Sequence, residues 1–322
     1  MTEGYRAVVV QQYGPPESAI AVERLPVRPP QTGEVAIRVV AAGVNAGDWH
    51  LVRGTPWVVR LIFGLRRPKM KGLGTDIAGT VEALGPGVSG LHVGDAVFAD
   101  LSDAGFGGFA EWVCVPASAV VPAPTTLSPD EQACLPMPGG TALQALRDHG
   151  ELKAGERVLV VGASGGVGSL AVRLAKHLGA TVTGVARGEK LDYLRSLGVD
   201  LAVDYRSEDV TRRSERYDLI VDAGAFRSVR DYRRIMSPTG RYVHVGGTMR
   251  RMVQTLFAGK RYRVFVAKPR REDLETIRAL ADQGVLRPTV GARYGLSHCA
   301  AALNRVETGD GVGRVVIHPA EE

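Results

Sequence analysis

Cysteine is scarce in this chain. Cys114, Cys134 and Cys299 stand far apart in 322 residues, which excludes a disulfide framework and a CxxC metal knuckle and suits a reducing compartment. A cytoplasmic location is therefore expected. No apolar run approaches the roughly 20 residues that a spanning helix needs, and no basic segment followed by an apolar core opens the chain as an export signal would. Low-complexity tracts and repeats at a solenoid period are also lacking. The balance of 40 Lys and Arg against 34 Asp and Glu leaves a net charge of +6, but the arginines are spread among helices and loops rather than gathered with stacking aromatics. Neither nucleic acid nor a membrane is expected as a partner, and an anionic small molecule is enough to account for the excess.

Hydrophobic residues, at 45% of the chain, are sufficient for two ordinary cores. The most informative stretch runs from Arg157 to Lys190. Arg157 to Val161 is a short valine-rich run that suits a strand buried on both faces. It breaks into Gly162, Gly165, Gly166 and Gly168, which allow a tight turn and a close ligand approach, and a helix follows whose free N–H groups face the turn. Leu170, Leu174 and Leu178 fall at helical spacing and Gly179 stops the helix. Thr181 to Ala186 is the second strand.

That strand–turn–helix–strand unit suits a pyrophosphate, although Ala163 replaces the first glycine of G-x-G-x-x-G. About 20 residues on, where a ribose-reading acid is expected in an NAD site, stand Ala186 and Arg187, with Lys190 close behind. Two cations there suit a 2′-phosphate, and NADPH is the expected cofactor.

The N-terminal third reads as short strands separated by Gly, Pro and Asp, including Glu34 to Val40, Gly79 to Ala83, Asp95 to Ala99 and Phe109 to Val115. These predict a compact β-barrel domain. Pro116 to Pro124 is loosely patterned, and Ser128 with Pro129 opens helical material as an N-cap and first helical position. Beyond the glycine turn, helices and strands alternate: helix Glu189 to Leu197, strand Leu201 to Val203, strand Tyr217 to Val221, helix Val229 to Met236 closed by Pro238 and Gly240, strand Arg241 to Val245. Alternation at this spacing predicts a doubly wound parallel sheet whose ligand lies beyond the strands' carboxyl ends, where Tyr205, Ala223 and Gly246 to Thr248 also fall. A sixth strand is expected at Val264 to Ala267, then helix Glu272 to Gln283. After a last helix near Ala300 to Arg305, strand Gly313 to His318 is expected to return to the first domain.

Together, GVNAGDWH (Gly43 to His50), LGTDIAGTVEALGPGV (Leu73 to Val88), GDAVFA (Gly94 to Ala99), GGFAEWVCVP (Gly107 to Pro116), LPMPGGTALQAL (Leu135 to Leu146), GASGGVG and GRVVIHP (Gly313 to Pro319) resemble the medium-chain dehydrogenase/reductase superfamily, in its zinc-free quinone oxidoreductase branch. The resemblance spans nearly the whole chain. It implies an α/β fold with a GroES-like β-barrel domain, residues 1–122 and 268–322, plus a Rossmann domain, residues 123–267. A nicotinamide cofactor between them and a homodimer are implied as well. The cofactor-binding residues implied are Asn45, Thr141, Ser164, Gly165, Gly166, Val167, Gly168, Ala186, Arg187, Lys190, Tyr205, Ala223, Gly246, Gly247, Thr248, Phe265 and Arg314.

Departures from zinc-dependent relatives bear on the chemistry. Asn45 stands at the place of their zinc-binding cysteine, Thr75 and Asp76 at that of a zinc-binding histidine and its acid neighbour, and the four-cysteine structural lobe is missing. No metal is expected, because amide and hydroxyl groups do not replace thiolate and imidazole. Reduction of a quinone or an α,β-unsaturated carbonyl then follows more naturally than alcohol oxidation. Asn45 and His50 are the expected catalytic residues, His50 as an oxyanion donor or proton source, or else as a space-filling wall. Lys268 is a third possible donor. Asp48 and Trp49 are expected to fix the loop. The basic segment Arg60 to Lys71 reads as a solvated loop, a substrate lid or a partner contact. An enoyl-thioester reductase and a non-enzymatic NADPH-binding protein remain as alternatives.

Overall fold

The computed structural model describes residues 4–246 and 249–321. The chain divides into two compact units, one formed by the stretch up to Met137 together with that from Lys268 on, the other by Pro138–Ala267.

In the first unit the strands are β1 (Tyr5–Val10), β2 (Ile20–Leu25), β3 (Glu34–Gly43), β4 (Asp76–Leu84), β5 (Ala96–Asp100), β6 (Trp112–Pro116) and β7 (Val120–Pro122). The second unit supplies β8 (Arg157–Val161), β9 (Thr181–Ala186), β10 (Leu201–Asp204), β11 (Tyr217–Asp222), β12 (Met236–His244) and β13 (Tyr262–Val264), and the chain then returns with β14 (Val290–Gly295) and β15 (Arg314–His318).

β3 is the hub of the first unit. It pairs antiparallel with β4 along its length, with β6 at its start and with β15 at its end, in a seven-stranded sheet ordered β14-β15-β3-β4-β5-β7 with β6 on β3. Its inward residues Val35, Ile37 and Val39 are buried with Ile77, Val97, Val115 and Ile317 in one core. The helix Pro129–Ala133 opens as expected, with Ser128 and Glu131 forming a reciprocal capping box and Pro129 in the first turn. It packs on β3 and β4, so residues 123–137 belong with this unit.

The second unit is a six-stranded parallel sheet ordered β10-β9-β8-β11-β12-β13. Strand order reverses between β8 and β11, the place where ligands enter doubly wound sheets. Four of the five residues of β8 are fully buried, as a central strand covered on both faces requires.

Several elements differ from the sequence reading. Val120 to Pro122, inside the loosely patterned stretch, forms an edge strand on β5, where proline is tolerated because its missing N–H faces away from the ladder. Pro238 does not close a helix. The helix Val229–Tyr232 passes through a short 3-10 turn to Ile235, and β12 runs through Pro238 and Gly240 at a register break, Tyr217 facing Met236 and Leu219 facing Arg241. The sixth strand lies at Tyr262–Val264, earlier than expected, because the buried side chain is Tyr262, whose ring packs on Tyr242, whereas Val266 is 78% exposed. Two helices, Ala46–Arg53 and Val58–Phe63, occupy a region where the sequence pattern indicated none. Among the described residues no helix is long and apolar enough to cross a membrane.

The glycine turn generates a stability prediction. A Cβ on Gly168 would lie 2.2 Å from the Gly162 carbonyl oxygen and 2.8 Å from Ala163 Cα, so Gly168→Ala is expected to cost about 1–3 kcal/mol. Gly140, helical with nothing within 4 Å of its Cβ position, should gain about 0.5–1 kcal/mol as Gly140→Ala. Denaturant melts of the two variants check this, and equal effects would contradict the packing described.

Candidate active site and dinucleotide cradle

In the second unit, β8 ends at Val161 and Gly162 turns at φ 76°. Its N–H and that of Ala163 both donate to the Val185 carbonyl, at 3.1 and 3.0 Å, and Gly165 N–H donates to Gly162 O at 3.0 Å. Ser164, Gly165, Gly166 and Val167 form the rim, and the helix Gly166–His177 starts there with no side-chain cap on its first N–H groups. Such a start favours an anion. A Cβ on Gly162 would lie 3.1 Å from Gly224 N and 3.2 Å from Ala223 C, so the turns after β8 and β11 abut at the switch point.

The turn after β11 is held by Asp222. Its Oδ1 accepts from Gly224 N–H at 3.1 Å and Ala225 N–H at 2.7 Å, and its Oδ2 accepts from the Tyr242 hydroxyl at 2.6 Å. Burial raises the Asp222 carboxyl above the usual range, with the Tyr242 hydrogen bond opposing. Ala225 sits at φ 51°, a backbone region that non-glycine residues seldom adopt.

At the end of β9, Ala186 is buried. Arg187 Nε donates to the Tyr205 hydroxyl at 3.3 Å, and the Tyr205 ring stacks on Phe226 with centroids 4.2 Å apart. Lys190 is only 9% exposed. The structure thus gathers Arg187, Tyr205 and Phe226, the last not indicated by the sequence reading. Its signal was the Asp222-Ala223-Gly224 break at a strand end, which implied an exposed turn but no aromatic role. Gly246 lies next to this turn, its Cβ position 3.5 Å from Ala223 O. Gly247 and Thr248 lie outside the described residues. Thr141 is buried in the helix Pro136–Gln144, and Phe265, just past β13, stacks on His149 at 4.2 Å.

In the first unit Asn45 is the N-cap of the helix Ala46–Arg53, its own N–H donating to Asp48 Oδ2 at 2.7 Å. Its buried amide is fully used. Nδ2 donates to Thr75 Oγ1 at 3.0 Å and to Asp76 Oδ2 at 2.9 Å, while Oδ1 accepts from Arg314 Nη2 at 2.6 Å. Asp76 Oδ1 accepts from Met137 N–H at 2.9 Å, and Arg314 lies 3.7 Å from Asp76 Oδ2. The Arg314 side chain, 10% exposed, therefore lies against the Asn45 amide and beside the Asp76 carboxyl. Thr75, 7% exposed, accepts from Asn45 and keeps its own proton for an acceptor outside this set.

The neighbouring acids are perturbed by burial. Asp76 is raised well above the carboxylate range by burial and by Asp100, with Arg314 opposing. Asp100 is raised by burial as well, against hydrogen bonds from Ser102. Asp48 is pushed up to about 7, again by burial, against its hydrogen bond from Asn45.

His50, half-buried and stacked on Trp49, lies 2.6 Å through Nδ1 from the Thr55 carbonyl. A carbonyl only accepts, so Nδ1 carries the proton and Nε2 of the neutral ring is an acceptor. Burial holds this imidazole below the ordinary histidine value. At neutral pH His50 is accordingly an acceptor, and it becomes a donor through Nε2 only when protonated. Lys268 is exposed. Among the described residues no three His, Cys, Asp or Glu side chains converge to hold a metal.

Asp48 binds its proton more tightly when folded than when unfolded, so its protonated form contributes stability that is full below about pH 4 and is lost as pH rises towards 7. That single group gives a slope of at most about 1.4 kcal/mol per pH unit. Asp48→Asn should flatten stability between pH 4 and 7, as measured by denaturation across that window. An unchanged slope would contradict the burial of this carboxyl.

Residues 31–125 match the alcohol dehydrogenase GroES-like domain and residues 197–317 match a zinc-binding dehydrogenase domain. The chain is 30% identical over 301 residues to an NADPH-dependent alkenal/one oxidoreductase, chloroplastic, of Arabidopsis thaliana, covering 89% of this chain and 72% of that one. It is 34% identical over 300 residues to polyketide synthase GfsB of Streptomyces halstedii, 90% of this chain but 5% of that protein. The solved quinone oxidoreductase of Coxiella burnetii superposes with a TM-score of 0.86 at 28% identity, over 98% of this chain and 99% of that one. With its parallel sheet, glycine turn and β3-centred sheet, the chain belongs to the medium-chain dehydrogenase/reductase superfamily, in its quinone oxidoreductase-like branch, and is an oxidoreductase.

Proposed function

We propose that this chain reduces a quinone or an α,β-unsaturated carbonyl with NADPH and without zinc. The observation that carries the reading is the saturated Asn45 amide. At the place of a metal-binding thiolate there is a side chain whose two N–H groups and oxygen are all engaged, beside the resident cation Arg314. Such a set supplies neither the thiolate nor the imidazole that a zinc site uses, and its amide oxygen already accepts from the neighbouring guanidinium.

The residues of the second unit fit a dinucleotide. The uncapped helix start with Gly165, Gly166 and Val167 would hold the pyrophosphate, Arg187 a 2′-phosphate, and the Tyr205–Phe226 pair one face of the adenine. Bound there, the nicotinamide supplies the hydride. As hydride reaches the acceptor's carbon, negative charge collects on the conjugated carbonyl oxygen. The Thr75 hydroxyl, held by Asn45 from one side, is the donor suited to that oxygen. The product's remaining proton comes from solvent, or from His50 below its lowered pKa. Asn45 acts by positioning Thr75.

A second reading, reduction of an enoyl thioester, shares the same hydride and proton steps, and a polyketide synthase is among the proteins this chain is similar to. Turnover of quinones, plain enones and acyl thioesters side by side separates the two readings.

Replacing Arg187 by Ala should lower the ratio of NADPH to NADH affinity by roughly ten- to hundredfold. Fluorescence titration with both cofactors measures it, and an unchanged ratio would remove the basis for NADP preference. Thr75→Val should lower kcat on a plain enone by about 10²- to 10³-fold with NADPH affinity unchanged, and Thr75→Ser should restore most of it. His50→Ala should matter only as pH falls below the ordinary histidine range. A parental rate for Thr75→Val would refute the donor assignment.

A further inference from the structure

Between Asp48 and Asp76 the sequence contains no acidic residue. The helix Val58–Phe63 in this stretch is anchored by one face. Arg60 lies over the Tyr13 ring at 4.8 Å and its Nε donates to Gly54 O at 3.1 Å, Phe63 meets the Phe106 ring edge-on at 5.9 Å, and the Tyr13 hydroxyl donates to Gly64 O at 2.7 Å. Lys69 N–H donates to Phe63 O at 2.7 Å, folding the following loop back against the helix end.

The other face and the loop after it carry large apolar side chains in water: Trp57 68%, Leu61 53% and Ile62 69% exposed, then Leu65 66%. Trp57 and Leu61 are one helical turn apart and share a side. Directly after them come Arg66, Arg67, Lys69 and Lys71, all exposed, for which no acidic side chain lies within ion-pair distance among the described residues. Surface cations of this protein elsewhere commonly have such partners, as Arg28 does with Glu34 and Lys176 with Asp200.

We propose that this face of the first unit docks on an anionic lipid bilayer, with Trp57, Leu61, Ile62 and Leu65 entering the headgroup and acyl boundary and the four cations meeting lipid phosphates. Three observations select this occupant. The protruding groups are mainly aliphatic, which acyl chains solvate and stacked nucleobases do not. The aromatic among them is tryptophan, whose amphipathic ring suits the interface. The adjoining charge is of one sign and unpaired, complementary to an anionic surface. Docking on a surface needs no spanning helix.

The test uses the full chain and large vesicles of phosphatidylcholine with or without phosphatidylglycerol. At low ionic strength the protein is expected to sediment with the phosphatidylglycerol vesicles and to shift its tryptophan emission to the blue. It should be released by salt and bind phosphatidylcholine alone at least about tenfold more weakly. Arg66→Gln with Arg67→Gln should weaken partitioning by about tenfold or more, Ile62→Ser should weaken it independently, and Trp57→Phe should abolish the blue shift while leaving sedimentation largely intact. All four positions are exposed, and unchanged circular dichroism confirms that each variant folds. Absence of phosphatidylglycerol-dependent sedimentation overturns the proposal, as does sedimentation that the double variant retains. A concentration-dependent dimer lost in Ile62→Ser, without vesicle binding, would assign the face to a second copy and overturn it too.

Discussion

The Asn45 amide, buried between Thr75, Asp76 and Arg314, is the interaction on which the first unit's site depends. A buried carboxylate or guanidinium is tolerated only where its charge is paired and its hydrogen-bonding capacity met. β3, β4 and β15 meet these demands through register. Gly43 faces both Asp76 and Val316 across its neighbouring ladders, so the residues just past the end of β3 and at the starts of β4 and β15 converge. Asn45 then caps the helix Ala46–Arg53, which places His50 and Asp48. One amide thus connects sheet register, helix start and buried charge.

In the second unit the corresponding constraint is close approach of backbone to backbone. Gly168 packs a helix onto the end of β8, and Gly162 brings that turn against the turn after β11, itself fixed by the Asp222 carboxyl. Both ends of the switch point are therefore made of main chain with few side chains in the way, and the helix start carries no side-chain cap. The side chains that gather here, Arg187, Tyr205 and Phe226, lie beyond the ends of β9, β10 and β11.

Legibility in the sequence followed the range of the determining interactions. The span Arg157 to Ala186 and the capping box at Ser128 were readable because their signals, apolar period, glycine break and cap chemistry, lie within a few residues of what they specify. β13 and β12 were misplaced because exposed Val266 and buried Tyr262 look equally suited to a strand until a neighbouring ring decides between them, and because Pro238 is harmless only at a register break. The helix Ala46–Arg53 was missed because Asn45 read as a cleft residue and Asp48 as a loop residue before their capping bonds were visible.

The same division holds for the chemistry. The sequence by itself determined the reductase family, the dinucleotide turn, the cations after β9 and the side chains standing at metal-ligand places, since each is a local motif or a residue identity. Only the tertiary structure decided that Asn45 has no free donor, that Thr75 has one, that His50 presents an acceptor, and that Arg314 donates to the Asn45 amide oxygen. Arg314 meets Asn45 across 269 residues of chain, and the direction of each proton is set by partners that strand register, not sequence proximity, brings within hydrogen-bond reach.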